Sequence, residues 1–301
     1  MQKIVITGAT GMIGSAIVRC ALEQGIDVLC IIRKDTSRFG NLPKSERLKI
    51  VYADISEYAQ LDIKGSYDVF YHLAWIKTSA ASRDDVDTQV DNIQYTLDAV
   101  HFAKHLGCKK FIGAGSQAEY GIVSKPLKSD TPVNPESGYG IAKYAAGKLS
   151  RLLCSQLGLQ FNWVRILSVY GPHDGLNSLI MYTIHELQAG HSPEFTKCGQ
   201  IWDYLYCDDA AKALLAIGKN GVDGKTYPLG SGGKKKLSKY LEIIRDIIAP
   251  EIVLQLGKKE YYPHQPMYLC ADISELTSDT GWKPQISFEE GIRNIISSFP
   301  C

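Results

Sequence analysis

Several things are scarce in this 301-residue chain, and each absence removes a class of function. There is no excess of one charge: 33 Lys and Arg face 32 Asp and Glu, so no long-range field favours nucleic acid or an acidic membrane. No apolar run approaches the roughly 20 residues that cross a bilayer. The opening Lys3–Thr7 already reads as a core strand, which leaves no room for a secretory signal and points to the cytoplasm. The eight cysteines, at 20, 30, 108, 154, 198, 207, 270 and 301, form no Cys-x-x-Cys pair and show no metal-ligand spacing, so no metal is expected. Several lie in apolar stretches, as small core residues of a reducing compartment do. Internal repeats and low-complexity linkers are missing too. The run Lys234 to Lys236 reads as a solvated loop. What remains is 45% hydrophobic and 22% charged, enough for one large unit or two interleaved ones.

The first half alternates short apolar runs with helical patterns. Strands are expected at Lys3–Thr7, Asp27–Ile32, Ile50–Ala53, Asp68–Leu73, Lys109–Ala114 and Gln160–Ile166, and helices at 12–24, 84–106 and 139–157. Strands apolar on both faces and separated by helices imply a parallel sheet covered on both sides. Right-handed crossovers then make it doubly wound, an α/β Rossmann sheet that binds ligands beyond the carboxyl ends of its strands. Past Pro172 the pattern turns irregular. Helices are expected at Leu176–Ala189, Asp209–Ile217, Ser238–Ile248 and Phe288–Ser298, with extended segments at Gln200–Tyr206, Thr226–Leu229 and 251–256. The division that follows is a dinucleotide-binding unit at 1–170 and a smaller mixed α/β substrate unit at 171–301. Elements near 203–230 are free to rejoin the first.

The opening carries the strongest signal. Glycines at 8, 11 and 14 sit between a strand and a helix. Glycine permits the tight turn and the close approach of a ligand to the backbone, and the helix that follows aims free N–H groups at the turn. A dinucleotide pyrophosphate fits such a site, which assigns Gly8, Thr10, Gly11, Met12, Ile13 and Gly14 to cofactor binding. An acid at the tip of the second strand selects NAD, whereas an arginine suits a 2′-phosphate. Here the tip is Arg33, with Arg38 close behind and Asp35 two residues late, so NADP(H) is favoured over NAD(H).

Tyr139 and Lys143 are four apart on one helix face. A phenol with a pKa near ~10 needs about three units of lowering, roughly 4 kcal/mol, to work as an acid–base group near neutrality. A cation at ~4 Å in an effective dielectric of ~20 supplies about that much. Lys143 is therefore expected to tune Tyr139 as the proton donor. A second pair, Tyr144 and Lys148, is turned ~140° further round and cannot face the same site. Ser116, at the tip of the fifth strand, completes the catalytic set by holding a carbonyl oxygen.

These residues resemble the extended short-chain dehydrogenase/reductases that act on nucleotide-sugars. The likeness runs over nearly the whole chain, through Gly8 to Gly14, Ala53-Asp54-Ile55, Asp68 to Ala74, Asn92, Ser116 to Tyr120, Tyr139 to Lys143, Arg165, Tyr170-Gly171-Pro172, Asp203-Tyr204, Asp208-Asp209 and Gly281 to Pro284. The resemblance implies that Asp54 and Ile55 flank the adenine, and that Leu73, Ala74 and Ile166 line the cofactor. It implies that Lys143 also bonds the nicotinamide ribose and that Asn92 is structural. A homodimer through helices like 84–106 and 139–157 follows from it, as does a nucleotide-sugar held under the second half. Dehydratases of the family carry Asp and Glu after the serine, but here Gln117 and Ala118 stand there. Trp202 replaces the usual arginine, and Ser168 offsets the usual asparagine. The expected activity is NADP(H)-dependent reduction of a nucleotide-linked 4-keto-6-deoxy sugar, with Gln117, Glu119, Asn177, Tyr204 and His264 as candidate substrate contacts. An NAD-dependent nucleotide-sugar 4-epimerase is the first alternative, and a non-catalytic cofactor-binding regulator the second.

Overall fold

A computed structural model describes residues 1–78, 82–262 and 265–299. Seven strands form one parallel sheet: β1 (Lys3–Thr7), β2 (Asp27–Ile32), β3 (Leu48–Tyr52), β4 (Val69–His72), β5 (Lys110–Ser116), β6 (Gln160–Ile166) and, after a long excursion, β11 (Thr226–Leu229). Their spatial order is β11-β6-β5-β4-β1-β2-β3, every neighbouring pair parallel. The chain starts mid-sheet, winds outward to β3, then returns to build the other half from β4. The reversal beside β1 opens a crevice at the carboxyl edge, where ligands of such sheets bind.

Residue alternation explains why both faces are covered. Ile4 and Ile6 of β1 point into one core with Ala16 and Ile17 of α1 (Met12–Glu23), while Val5 points into the other with Ala99 and Phe102 of α2 (Val86–His105). Completely burying each isoleucine, valine or phenylalanine among them is worth about 1.5–3 kcal/mol. The helix α3 (Gly138–Leu157) packs beside α2 on that second face. The Ser137 hydroxyl accepts the Gly140 N–H at 3.1 Å to start α3, and Gly158, at φ +68°, ends it.

Beyond β6 come β7 (Ser168–Tyr170), α4 (Leu179–Gln188), β8 (Glu194–Phe195), β9 (Ile201–Trp202), β10 (Tyr204–Tyr206) and α5 (Cys207–Asn220). After β11 follow β12 (Lys235–Lys236), α6 (Leu237–Ile248), β13 (Gln255–Leu256), β14 (Tyr268–Leu269), α7 (Ser274–Thr280) and α8 (Phe288–Ser297). The helix α5 lies against α1 and β11 pairs with β6, so 207–229 belongs to the sheet and its cover. The remaining elements form small sheets and a pack in which α6 lies against both α4 and α8. Asp203, wholly buried, gathers this half together. It accepts N–H bonds from Ser231, Gly232 and Ala271 and a hydroxyl bond from Ser231.

Some boundaries differ from expectation. The strand expected at Ile50–Ala53 begins at Leu48, and β5 runs on to Ser116. The helix expected from Leu176 starts at Leu179, because the Ser178 hydroxyl caps it by accepting the Met181 N–H. Only Gln255 and Leu256 pair in the segment expected to be extended at 251–256. The short α7 was not foreseen: it buries one side chain, Leu276, and carries no apolar stripe. The described cysteines are free and buried, and among the described residues no helix is long and apolar enough to cross a membrane.

Candidate active site

Two adjoining hollows, of about 410 and 430 Å³, run along the carboxyl edge and share Gly8, Gly11, Leu73, Trp75 and Thr78. The outer one, at the tips of β2 and β3, is lined by Thr10, Arg33, Asp54, Ile55 and Ala74. The inner one, at the tips of β5 and β6, is lined by Met12, Ile13, Gly14, Ser116, Gln117, Tyr139, Lys143 and Ile166. Residues spread over 159 positions of sequence thus meet in one groove because each follows or ends a parallel strand, or opens the helix after it.

The glycine-rich turn fits a dinucleotide. Gly8 has φ +71°, and a Cβ there would lie 2.8 Å from the Ala74 nitrogen; at Gly14 it would lie 2.2 Å from the Gly8 oxygen. At Gly11 a Cβ would meet only the Gly8 carbonyl, at 3.4 Å, so internal packing does not demand this glycine. No side chain caps α1 at Gly11, and no carboxylate sits in its first turn. Free N–H groups and the positive helix end therefore face the groove, as a pyrophosphate requires.

At the inner hollow, Ser116 and Tyr139 stand together. Burial raises the Tyr139 pKa above the usual phenol value, while hydrogen bonding with the Ser116 hydroxyl and the Arg83 guanidinium pull it down. Arg83 lies 5.0 Å from the Tyr139 ring centre, and its carbonyl accepts the Tyr139 N–H at 2.8 Å. The tuning expected from Lys143 takes a different form here. Its Nζ donates to the Ala114 carbonyl at 2.6 Å, lies 3.7 Å over the Trp75 ring, and is 5.8 Å from the Tyr139 ring centre. Burial lowers the Lys143 pKa to about 7. Arg83 stands nearer the Tyr139 ring than the lysine's head, which is drawn back towards β5.

Three candidate substrate contacts are not among the residues that line the two hollows. Glu119 is fully buried: it accepts the Ser116 N–H at 2.8 Å, the Trp163 Nε1–H at 2.9 Å and the Arg165 Nε–H at 2.7 Å. Its role is to brace the turn that carries Ser116. Asn177 is exposed in the turn before α4. Tyr204 packs edge-on against Tyr170 and Tyr240 in an aromatic core. His264 lies outside the described residues.

The groove also holds residues that sequence reasoning passed over. Trp75 lies three residues past the end of β4, and a large aromatic at that place is a readable signal. Its Nε1–H donates to Gln89 Oε1 at 2.9 Å, which fixes the ring between the hollows. Arg83 gave no signal, since it reaches the site from an irregular loop. Ser116-x-x-Glu119 is a capping-box spacing that marks Glu119 as structural, and that signal was available. Trp202 and Ser168, the two departures noted above, both line the inner hollow and bond each other, indole N–H to hydroxyl, at 2.8 Å.

A parallel sheet in this order, with an uncapped glycine-rich turn at its reversal, defines a dinucleotide-fold protein. Within that class the chain belongs to the NAD dependent epimerase/dehydratase family, whose profile matches residues 4–230. It is an extended short-chain dehydrogenase/reductase. It is 29% identical to the UDP-glucuronate 4-epimerase of Thermodesulfobacterium geofontis, over 99% of this chain and 96% of that one. It is 27% identical to a putative UDP-glucose 4-epimerase of Methanocaldococcus jannaschii, over 98% and 97%. Among solved structures, a UDP-N-acetylglucosamine 4-epimerase from Methanobrevibacter ruminantium matches with a TM-score of 0.88 at 24% identity, covering 99% of both chains. A UDP-glucuronic acid 4-epimerase from Bacillus cereus, solved with UDP-glucuronic acid and NAD, matches at 0.85 and 24%, covering 99% of this chain and 100% of that one.

Proposed function

We propose that the chain is an NADP(H)-dependent reductase of a nucleotide-linked 4-keto-6-deoxy sugar. The observation that carries this reading is the lining of the outer hollow. Arg33, Thr36 and Arg38 face it from the β2 tip, and Asp35 is not among its lining residues. The one lining carboxylate, Asp54, comes from the β3 tip and is engaged by the Ser56 N–H and hydroxyl. Two guanidinium groups suit a 2′-phosphate, and the acid nearest to them, Asp35, holds Arg33 only through an exposed 3.9 Å pair that a phosphate would displace.

The uncapped start of α1 would hold the pyrophosphate, and the bound nicotinamide would supply the hydride for C4 of the sugar. Tyr139 gives its phenolic proton to the carbonyl oxygen. The Ser116 hydroxyl holds that oxygen in line, and Arg83 stabilises the phenolate left behind. Lys143 holds the inner wall and would bond the ribose of a bound cofactor. Gln117 stands where a dehydratase needs an acid, which disfavours loss of water. Val86 and Val90 on α2, with Ile141, Leu149 and Leu152 on α3, are exposed apolar side chains on adjacent helices, and they support a homodimer. Buried free thiols suit a cytoplasmic setting.

A second reading, an NAD-dependent 4-epimerase, draws on the solved relatives, several of which carry NAD in their structures. Purified protein separates the two. NADPH consumption with 4-keto-6-deoxy hexoses on CDP, dTDP, GDP or UDP, at least tenfold faster than with NADH, is the expected result. Arg33→Ser should weaken NADPH binding by about 1–2 kcal/mol, the scale of a charge-assisted hydrogen bond, with NADH binding little changed. Tightly retained NAD and interconversion of two nucleotide-sugars without net cofactor use would establish the epimerase instead.

A further inference from the structure

We propose that a hollow behind α3 is a second ligand site, one that takes a sugar phosphate and acts on Ser116 through Glu119. The hollow, of about 300 Å³, opens on the side of α3 turned away from Tyr139. Tyr144, Lys148 and Arg151 line it from α3, and Trp163 and Arg165 of β6 form its floor. The second tyrosine–lysine pair, which has no place in the catalytic groove, therefore belongs to a cavity of its own.

The charges in this hollow have a pattern. Lys148 and Arg151 make no hydrogen bond or ion pair among the described residues; Lys148 Nζ lies 5.5 Å from the Tyr144 ring centre. Arg165 has a side chain only 6% exposed, yet it is part of the lining. Of the five N–H donors of a guanidinium, Nε–H goes to Glu119 and one face lies 4.4 Å over the Tyr120 ring, so a phosphate is left the outer edge of the fork. Lys225 adds a cation from the strand side, although Asp279 already holds it at 2.6 Å. The acids that line the hollow, Asp130 and Glu275, come from the loop before α3 and from α7. Carboxylates repel a phosphate but accept hydroxyls. Unpaired cations on one wall and hydroxyl acceptors on the others match a phosphate carried on a sugar ring. A hexose 1-phosphate and a nucleoside monophosphate share that chemistry; the second would also set its base against Tyr144.

The floor connects to the catalytic turn in two steps. Trp163 and Arg165 bond the two oxygens of Glu119, and Glu119 accepts the Ser116 N–H. A phosphate that draws on Arg165 competes with Glu119 for the guanidinium, and so loosens the brace under Ser116. The site stands whichever reaction the groove performs, and its link to Ser116 is read through the proposed reductase activity.

The test is calorimetric titration of the purified chain with glucose 1-phosphate, UMP and inorganic phosphate, in wild type and in the double variant Lys148→Ala, Arg151→Ala. The expected result is binding of one or both organic phosphates, weakened about tenfold or more in the double variant, or about 1.4 kcal/mol, with NADPH affinity unchanged. Whether glucose 1-phosphate or UMP binds the tighter identifies the source. Saturating ligand should change turnover in the wild type and not in the double variant. No binding, equal binding in both proteins, displacement by NADPH, or inorganic phosphate binding as tightly as its esters would overturn the site. Binding without an effect on turnover would overturn the link to Ser116.

Discussion

The helix α3 presents a tyrosine and a lysine four residues apart twice, and the two pairs have opposite surroundings. Tyr139 and Lys143 are buried in the groove, 8% and 4% exposed, with the lysine's pKa pushed down to about 7. Lys148 is exposed, and its ammonium rests beside Tyr144 at the rim of the rear hollow. The same spacing yields a desolvated constellation on one side and a solvated cation on the other. The difference is the rotation of five residues around a helix, not the residue types. A sequence motif of this kind acquires chemistry only through what the opposing elements bring to it: Ser116 and Arg83 in front, Arg165 and Arg151 behind.

The comparison is broken most severely at the phenols. Tyr139→Phe should lower turnover by roughly 10²–10⁴, the range for loss of a positioned proton donor, and leave NADPH binding nearly intact. Tyr144→Phe should leave turnover within about twofold, since a helix-surface hydroxyl contributes little. Equal losses in the two variants would erase the distinction between the faces.

Next in size is the carboxylate between them. Glu119→Gln leaves the buried Arg165 without its counter-charge, a loss of about 3–5 kcal/mol when one partner of such a pair is removed. Chemical denaturation should read most of that as a lower midpoint. A fall in stability below 1 kcal/mol, on the scale of an exposed pair, would mean that the ion pair is solvated.

A pH dependence comes last, because it is spread over about three pH units. Lys143 has its pKa near the usual 10.5 in the unfolded chain and about 7 in the fold, so between these values the unfolded chain binds more protons. Stability from this group therefore rises with pH through that window. Wild type should gain melting temperature relative to Lys143→Met as pH goes from 7 towards 10. A constant difference would place the ammonium in water.

Much of the front face could be read from the chain because strand tips are fixed by topology. Once β1 to β6 are assigned, Gly8, Arg33, Asp54, Ala74, Ser116 and Ile166 must share an edge, and all of them line the groove. The second half offers no such rule. Its strands are two or three residues long, its sheets small, and Tyr204 and Asn177 could not be placed by periodicity. Glu119 was misplaced for another reason: a polar residue near a catalytic serine invites a chemical role, and here its backbone and Arg165 bonds take all of it. Lys143 sat where expected, but its head turned towards Ala114, which no spacing argument foretells.

Asp203 has a mechanical consequence. Because one carboxylate clasps the 231–232 turn and Ala271 to the short strand that ends at Trp202, these separate stretches cannot shift one at a time. Any hinge that opens the groove must lie outside this clasp, and Trp202 and Leu269 travel as a single jaw. A guest molecule then meets a wall whose shape is set before it arrives.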